Sequence, residues 1–204
     1  MSLSKYIYAN NCINCHLPSI DLRGGLCENC FSLFSIELKK RNDLYYFINY
    51  KENKSYFLYQ AKQFNRPYYI KKFSSYCGSL FSSLSPPEGI LTYVPIHKND
   101  MARRGYNQSE IIAAEFGKNT HFKVMKLLKK IRITEKQKNL NLNLRMSNLE
   151  GAFSSIKKKI NYPLVYLIDD ICTTGSTLNE CKKVLLASGV EKVVFIALAY
   201  VKVK

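Results

Sequence analysis

The 204-residue chain is poor in negative charge and has no long apolar runs. Asp and Glu number 15 against 31 Lys and Arg, and just five of the acids are aspartate. The net charge of +16 turns attention to polyanions: nucleic acid, a phosphorylated metabolite or an anionic membrane surface. Much of the excess is scattered lysine, for example Lys39, Lys40, Lys71, Lys72, Lys129, Lys130 and Lys157 to Lys159, which a solvated surface also accommodates. No apolar run approaches the ~20 residues of a membrane span, so no transmembrane segment is expected. The opening Met-Ser-Leu-Ser-Lys-Tyr lacks an apolar h-region, so no secretory signal is expected and the cytoplasm is the expected compartment. With 47% hydrophobic residues, the length suits one ordinary domain plus a small appendage.

Because aspartate is scarce, the adjacent pair Asp169-Asp170 stands out. It follows the apolar run Leu164 to Ile168 and precedes Ile171-Cys172-Thr173-Thr174-Gly175-Ser176-Thr177. A continuous apolar run reads as a parallel strand buried on both faces. Carboxylates at its C-terminal end then face the crevice where open α/β sheets bind ligands. Thr173, Thr174, Gly175, Ser176 and Thr177 offer hydroxyls and backbone N–H groups to a phosphate at the start of a helix. Two carboxylates beside a phosphate would repel it unless neutral hydroxyls or a cation faced them. A ribose 5-phosphate has that polarity, with a diol at one end and a phosphate at the other. The bland alternative is a solvated turn for the acidic pair and ordinary helix capping by Ser and Thr for the hydroxyls.

Four of the seven cysteines form two C-x-x-C knuckles, Cys12/Cys15 and Cys27/Cys30. This is the spacing of a tetrahedral four-cysteine zinc site. Gly24-Gly25 lets the chain return between the knuckles. A reducing compartment disfavours disulfides, and the symmetric spacing favours zinc over an iron–sulfur cluster. Closed sites of this type are structural, and a segment this short draws stability from its metal. His16 is expected to be a bystander. Cys77, Cys172 and Cys181 have no partner at ligand spacing and read as packing residues.

Between these landmarks, Leu44 to Tyr50 reads as an aromatic-rich strand. Helices are expected at about 54–64 and 67–84, broken near Asn65-Arg66-Pro67. Their aromatics, including Tyr56, Phe57, Tyr59, Phe64, Tyr68, Tyr69, Phe73 and Tyr76, read mainly as a core face. Interleaved with lysines, they would also suit stacking of single-stranded bases. Leu91 to Ile96 reads as a strand, followed by a phosphate-friendly loop from His97 to Gln108 and a helix at about 107–117. Within that loop Arg103 and Arg104 provide guanidinium forks suited to pyrophosphate, and His97 is a candidate acid–base group. A strand is expected near 124–133. The polar segment 133–149 reads as a surface helix or loop, or as a mobile lid bringing Arg132, Lys136 or Arg145 to a leaving pyrophosphate. A helix at about 176–188, ended by Gly189, and a strand from Lys192 to Val201 complete an α/β fold.

Val165 to Leu178 resembles the phosphoribosyl pyrophosphate (PRPP) motif of type I phosphoribosyltransferases. The resemblance implies that Asp169 and Asp170 hold the ribose hydroxyls and that Thr173 to Thr177 hold the 5-phosphate. Enzymes salvaging 6-oxopurines resemble this motif with a carboxylate where this chain has Thr173. A threonine is no general base near neutral pH, so that salvage is not expected. Together with the double C-x-x-C, four further features resemble the competence protein F family (ComF/ComFC, GntX-related). They are Arg104-Gly105-Tyr106-Asn107-Gln108-Ser109-Glu110, the spaced set Arg132, Thr134, Gln137, Leu140, Arg145 and Asn148, Gly151-Ala152-Phe153, and the aspartate motif. Where relatives often have Pro-Val-Pro-Leu, this chain has Val94-Pro95-Ile96-His97. The resemblance implies a type I phosphoribosyltransferase-like parallel sheet flanked by helices over residues 41–204, with a small four-cysteine zinc finger over 1–40. It also implies PRPP with Mg2+ as ligand and structural Zn2+. The implied role is in natural transformation, handling incoming single-stranded DNA in the cytoplasm beside an uptake channel and helicase at the inner membrane. Transfer of the ribosyl group to an unidentified nucleobase or amine is the alternative, with no catalytic residue assigned.

Overall fold

The computed structural model describes residues 11–50, 58, 66–134 and 149–201. In chain order the elements are α1 (Glu28–Phe34), β1 (Lys39–Arg41), β2 (Leu44–Asn49), α2 (Pro67–Ser82), β3 (Ile90–Tyr93), α3 (Lys98–Arg104) and α4 (Gln108–Thr120). They continue with β4 (Leu128–Lys130), β5 (Phe153–Ser155), β6 (Leu164–Cys172), α5 (Ser176–Ala187) and β7 (Lys192–Tyr200). Five strands form one sheet in the order β1-β2-β7-β6-β3, and β4 and β5 form a separate antiparallel ribbon. Within the larger sheet β2, β7, β6 and β3 run parallel, and β1 is an antiparallel edge. The β1–β2 turn is short because Asn42 takes a left-handed conformation (φ 50°), which Asn tolerates better than most residues.

Side-chain alternation along β6 and β7 divides the interior into two layers. Tyr166, Ile168, Val194, Ile196 and Leu198 face one cluster, together with Phe73 and Phe81 of α2 and Phe116 of α4. Val165, Leu167, Val193, Phe195 and Ala197 face the other, with Leu178, Cys181 and Leu185 of α5. Both faces are covered, so the strands need no polar side, as the apolar runs predict. The first layer is rich in rings: Phe81 meets Tyr166 edge-on at 5.5 Å and Phe116 at 5.9 Å. Cys12, Ile13, Leu26, Phe31 and Phe34 of the cysteine-rich segment join this same layer.

The winding puts a crevice where it matters. After β3 the chain crosses one face through α4 and returns to the far edge of β3, where Leu91 bridges Val124 in parallel. It then enters β6 on the opposite edge of β3, and α5 follows on the other face. This reversal is a topological switch point, and the space beyond the C-terminal ends of β3 and β6 is the ligand position of such sheets.

Several expectations shift. β6 does not end at the aspartates: it stays paired with β7 as far as Cys172 opposite Tyr200. The segment after His97 is helical over α3 rather than a loop. The strand expected at 124–133 divides into the Val124 bridge and β4. The first helix, expected at about 54–64, falls almost wholly outside the described residues. So does the lid, apart from 133, 134 and 149. Of the aromatics on α2, Phe73 is fully buried whereas Tyr68 is 45% exposed. Truncating Phe81→Ala is expected to cost about 3–5 kcal/mol, because the ring links two helices to the sheet. Urea unfolding followed by circular dichroism would measure this, and a loss below about 1 kcal/mol would contradict so central a position.

Candidate functional site

Six backbone and side-chain hydrogen bonds assemble the crevice. Val94 N–H donates to the Ile168 carbonyl at 2.9 Å, locking the ends of β3 and β6 together. Asn107 Nδ2 donates to the Val94 carbonyl at 2.9 Å while its Oδ1 accepts from Ser109 N–H at 3.1 Å, capping α4. An Asn cap contributes about 1 kcal/mol, and here it also fixes the helix start against β3. Ser109 Oγ then donates to Asp169 Oδ1 at 2.9 Å. The same oxygen accepts from Asp170 N–H, and Asp170 Oδ1 accepts from Ile171 N–H. Both carboxylates are thus oriented by hydrogen bonds and half-buried.

Beyond them the loop turns on Gly175, which caps α5 in a left-handed conformation (φ 77°). Thr174 Oγ1 and Ser176 Oγ lie 2.8 Å apart, and Thr173 to Thr177 are all half-buried. Hydroxyls and N–H groups therefore gather at the start of a 12-residue helix, a geometry suited to an anion. Cys172 is buried under this loop, and burial followed by the nearby Asp169 charge pushes its thiol up to about 11. It is a packing residue, as expected.

The two arginines of α3 separate in role. Arg103 donates to Asp100 at 2.8 Å and is exposed, whereas Arg104 is half-buried on the side of Lys130. His97 accepts from Asn99 N–H through Nδ1 at 3.3 Å and so caps α3. Ser109 and Asn107 are the residues whose roles sequence reasoning missed, although a polar Asn-Gln-Ser run opening an apolar helix was a visible signal. Gln108 between them is buried, and its Nε2 makes no hydrogen bond among the described residues.

The cysteine cluster lies elsewhere, against α2. Cys12, Cys15, Cys27 and Cys30 bring their sulfurs within 4.8 Å of one another. Cys15 and Cys27 sulfurs are 3.7 Å apart, close to the ~3.8 Å edge of a tetrahedron with ~2.3 Å Zn–S bonds. Tight turns form the knuckles: His16 N–H donates to Cys12 O, and Phe31 N–H donates to Cys27 O. Gly25 is required where it stands, since its φ is +84° and a Cβ there would meet Ile13 and Lys72 at 3.1 Å. Burial raises the Cys12 thiol, but N–H groups of Cys15, Cys27 and Asn14 outweigh it and bring the thiol down to about 7. Burial and the neighbouring thiols push Cys30 up to about 12, against a hydrogen bond from Asn14. Four thiols crowded in this way do not ionise together unaided, and a divalent cation would supply the missing charge. The set fits zinc. His16 sits apart from the cluster, with Nδ1 3.3 Å from the Tyr69 hydroxyl. Protein purified without chelator is expected to hold about one zinc per chain, and Cys27→Ser little or none, by elemental analysis. A wild-type protein free of zinc after supplementation would exclude this use of the cluster.

Comparison with known proteins adds context. No protein-family model matches the chain. It is 36% identical over 113 residues to competence protein F of Haemophilus influenzae, covering 54% of this chain and 49% of that protein. It is 30% identical over 109 residues to the DNA utilization protein YhgH of Escherichia coli K12, covering 53% and 47%. Against competence protein ComFC of Bacillus subtilis the identity is 29% over 121 residues, covering 59% and 48%. The chain thus spans about half the length of the curated relatives it matches. Among solved structures, glutamine PRPP amidotransferase of B. subtilis is similar with a TM-score of 0.47 and 16% identity, over 69% of this chain and 30% of that one. A hypoxanthine phosphoribosyltransferase from Staphylococcus aureus is similar with a TM-score of 0.40 and 14% identity, over 64% and 62%. The mostly parallel α/β sheet, the four-cysteine cluster and these identities make the chain a homologue of the proteins named competence protein F, ComFC and YhgH.

Proposed function

We propose that the chain binds PRPP in the β3–β6 crevice and handles single-stranded DNA during natural transformation. The observation that carries the PRPP reading is the Ser109–Asp169 hydrogen bond at the switch point. It presents the oriented carboxylates of Asp169 and Asp170 one short loop away from the hydroxyls of Thr173 to Thr177. Carboxylates accept hydrogen bonds from a ribose diol, and the loop and α5 start donate to its 5-phosphate. Bound Mg2+ would neutralise the pyrophosphate. Arg104 and Arg103 stand on α3 at the rim, where guanidinium groups suit phosphate oxygens. Support for the DNA reading is different in kind: the net charge of +16 and relatives whose names refer to competence and DNA utilization. A cytoplasmic place of action, near an uptake channel and helicase, belongs to the same reading. So does a division into a zinc finger over 1–40 and a phosphoribosyltransferase-like domain over 41–204.

Two measurements test this reading. Calorimetric titration of PRPP with Mg2+ is expected to give saturable binding that Asp169→Asn/Asp170→Asn weakens by about tenfold or more. Affinity for an oligothymidylate should stay within about twofold in the same variant, since the two ligands occupy different surfaces. Unchanged PRPP affinity would remove the role given to the aspartates. Oligothymidylate binding to the wild type should weaken with salt at a log–log slope of about 0.7 per phosphate contacted. A flat dependence would sink the electrostatic account of DNA binding.

A further inference from the structure

Between the cysteine-rich segment and α2 lies a cavity of about 460 Å³, a volume in the range of small-ligand sites (~300–1,000 Å³). Ile13, Ile20 and Leu22 line it from the cysteine-rich segment, and Tyr68 and Tyr76 line it from α2. The two sides approach closely because the turn between the knuckles sits on the helix. A Cβ at Gly24, where φ is +61°, would meet Tyr76 at 3.1 Å. Asn119 of α4 also lines the cavity. It stands at the other end of α4 from Ser109, about 15 Å along the helix axis, so the cavity is separate from the β3–β6 crevice.

Its exposed side is aromatic and basic. Tyr68 is 45% exposed, with Lys72 Nζ 5.5 Å from its ring centre and the Tyr69 ring 6.3 Å away. Tyr69 in turn lies 5.9 Å from the His16 ring, and the Arg66 guanidinium is 5.6 Å from the Tyr69 ring centre. Rings and cations are thus interleaved at the start of α2. Neither α2 nor the cavity lining contains an acid, and Asp21 and Glu28 of the cysteine-rich segment do not line it. Among the described residues, Arg66, Lys71 and Lys72 form no ion pair. Cations without counter-ions select an anion, and an exposed ring beside them selects a planar apolar face.

We infer that this groove holds unpaired bases of single-stranded nucleic acid, with Tyr68 as the stacking platform and Lys72 and Arg66 meeting the adjoining phosphates. The inference deepens the DNA part of the proposed function and rests on it. Stacking on an aromatic side chain tolerates any sequence, because every base has a π-face. The Ser75 hydroxyl and the Asn119 amide oxygen, both on the cavity lining, can meet a base edge. A duplex does not fit, since its bases are already stacked on their neighbours and offer no free face.

The test measures binding of an oligothymidylate, its duplex with oligoadenylate, phosphatidylglycerol vesicles, and PRPP with Mg2+. The proteins compared are wild type, Tyr68→Ala, Tyr68→Phe and Lys72→Gln. Both positions are exposed, so the variants are expected to fold. Tyr68→Ala should weaken oligothymidylate binding about tenfold without changing its log–log salt slope, while Tyr68→Phe retains most of the affinity. Lys72→Gln should lower that slope by about 0.7. PRPP affinity should stay within about twofold in every variant, as expected for a distant site. Wild type that binds no oligothymidylate would remove the DNA reading and the inference together. Wild type that binds it, with Tyr68→Ala and Lys72→Gln both silent, would keep the DNA reading and overturn the inference alone. Equal losses for duplex and single strand would overturn it, as would an equal loss for PRPP, which would mark Tyr68 as a support of the fold. Variants that lose vesicle binding but keep the oligothymidylate would overturn it in favour of an anionic lipid surface.

Discussion

Pairing of β6 on both edges is the constraint on which the remaining structure depends. Its hydrogen bonds to β3 and β7 fix which residues face each layer, and the alternation of Tyr166 and Ile168 against Val165 and Leu167 follows. The same pairing continues through Asp169 to Cys172, so the carboxylates sit on sheet backbone rather than on a free loop. A ligand group held by strand backbone is placed more reproducibly than one held by an irregular turn. Val201 N–H, bonding to the Cys172 carbonyl at 2.8 Å, extends this support to the root of the hydroxyl-rich loop.

The two halves of the crevice come from opposite faces of the sheet. α4 approaches from the aromatic layer and delivers Ser109; α5 begins on the other layer and delivers the loop. Asn107 matters because it binds both a helix start and the end of β3, so the position of α4 along the sheet is set by one side chain. The cysteine cluster packs into the aromatic layer behind α2, on the α4 side. Any metal held there would therefore be coupled to the packing of that layer through Ile13, Phe31 and Phe34, which are buried within it.

Much of this was legible in the residues themselves. The apolar run before Asp169 announced a buried strand, Pro67 announced a helix start, and the paired C-x-x-C spacing announced the sulfur cluster. Other features were hidden for physical reasons. α3 spans seven residues, too short for periodicity to register, and its cap is a histidine side chain rather than Ser or Asp. The continuation of β6 past two acids depends on β7, a partner more than twenty residues away, and local propensity opposes it. The β4–β5 ribbon has three residues per strand and is held by α5.

The β1 edge has a consequence of another kind. Lys39, Lys40 and Arg41 occupy that strand in succession, and an edge strand is where sheets of separate molecules join. Lys39 is paired with Glu37 at 3.1 Å, and Lys40 and Arg41 leave that edge cationic, which disfavours its pairing with a second copy. Because salt screens such repulsion, this barrier weakens as ionic strength rises.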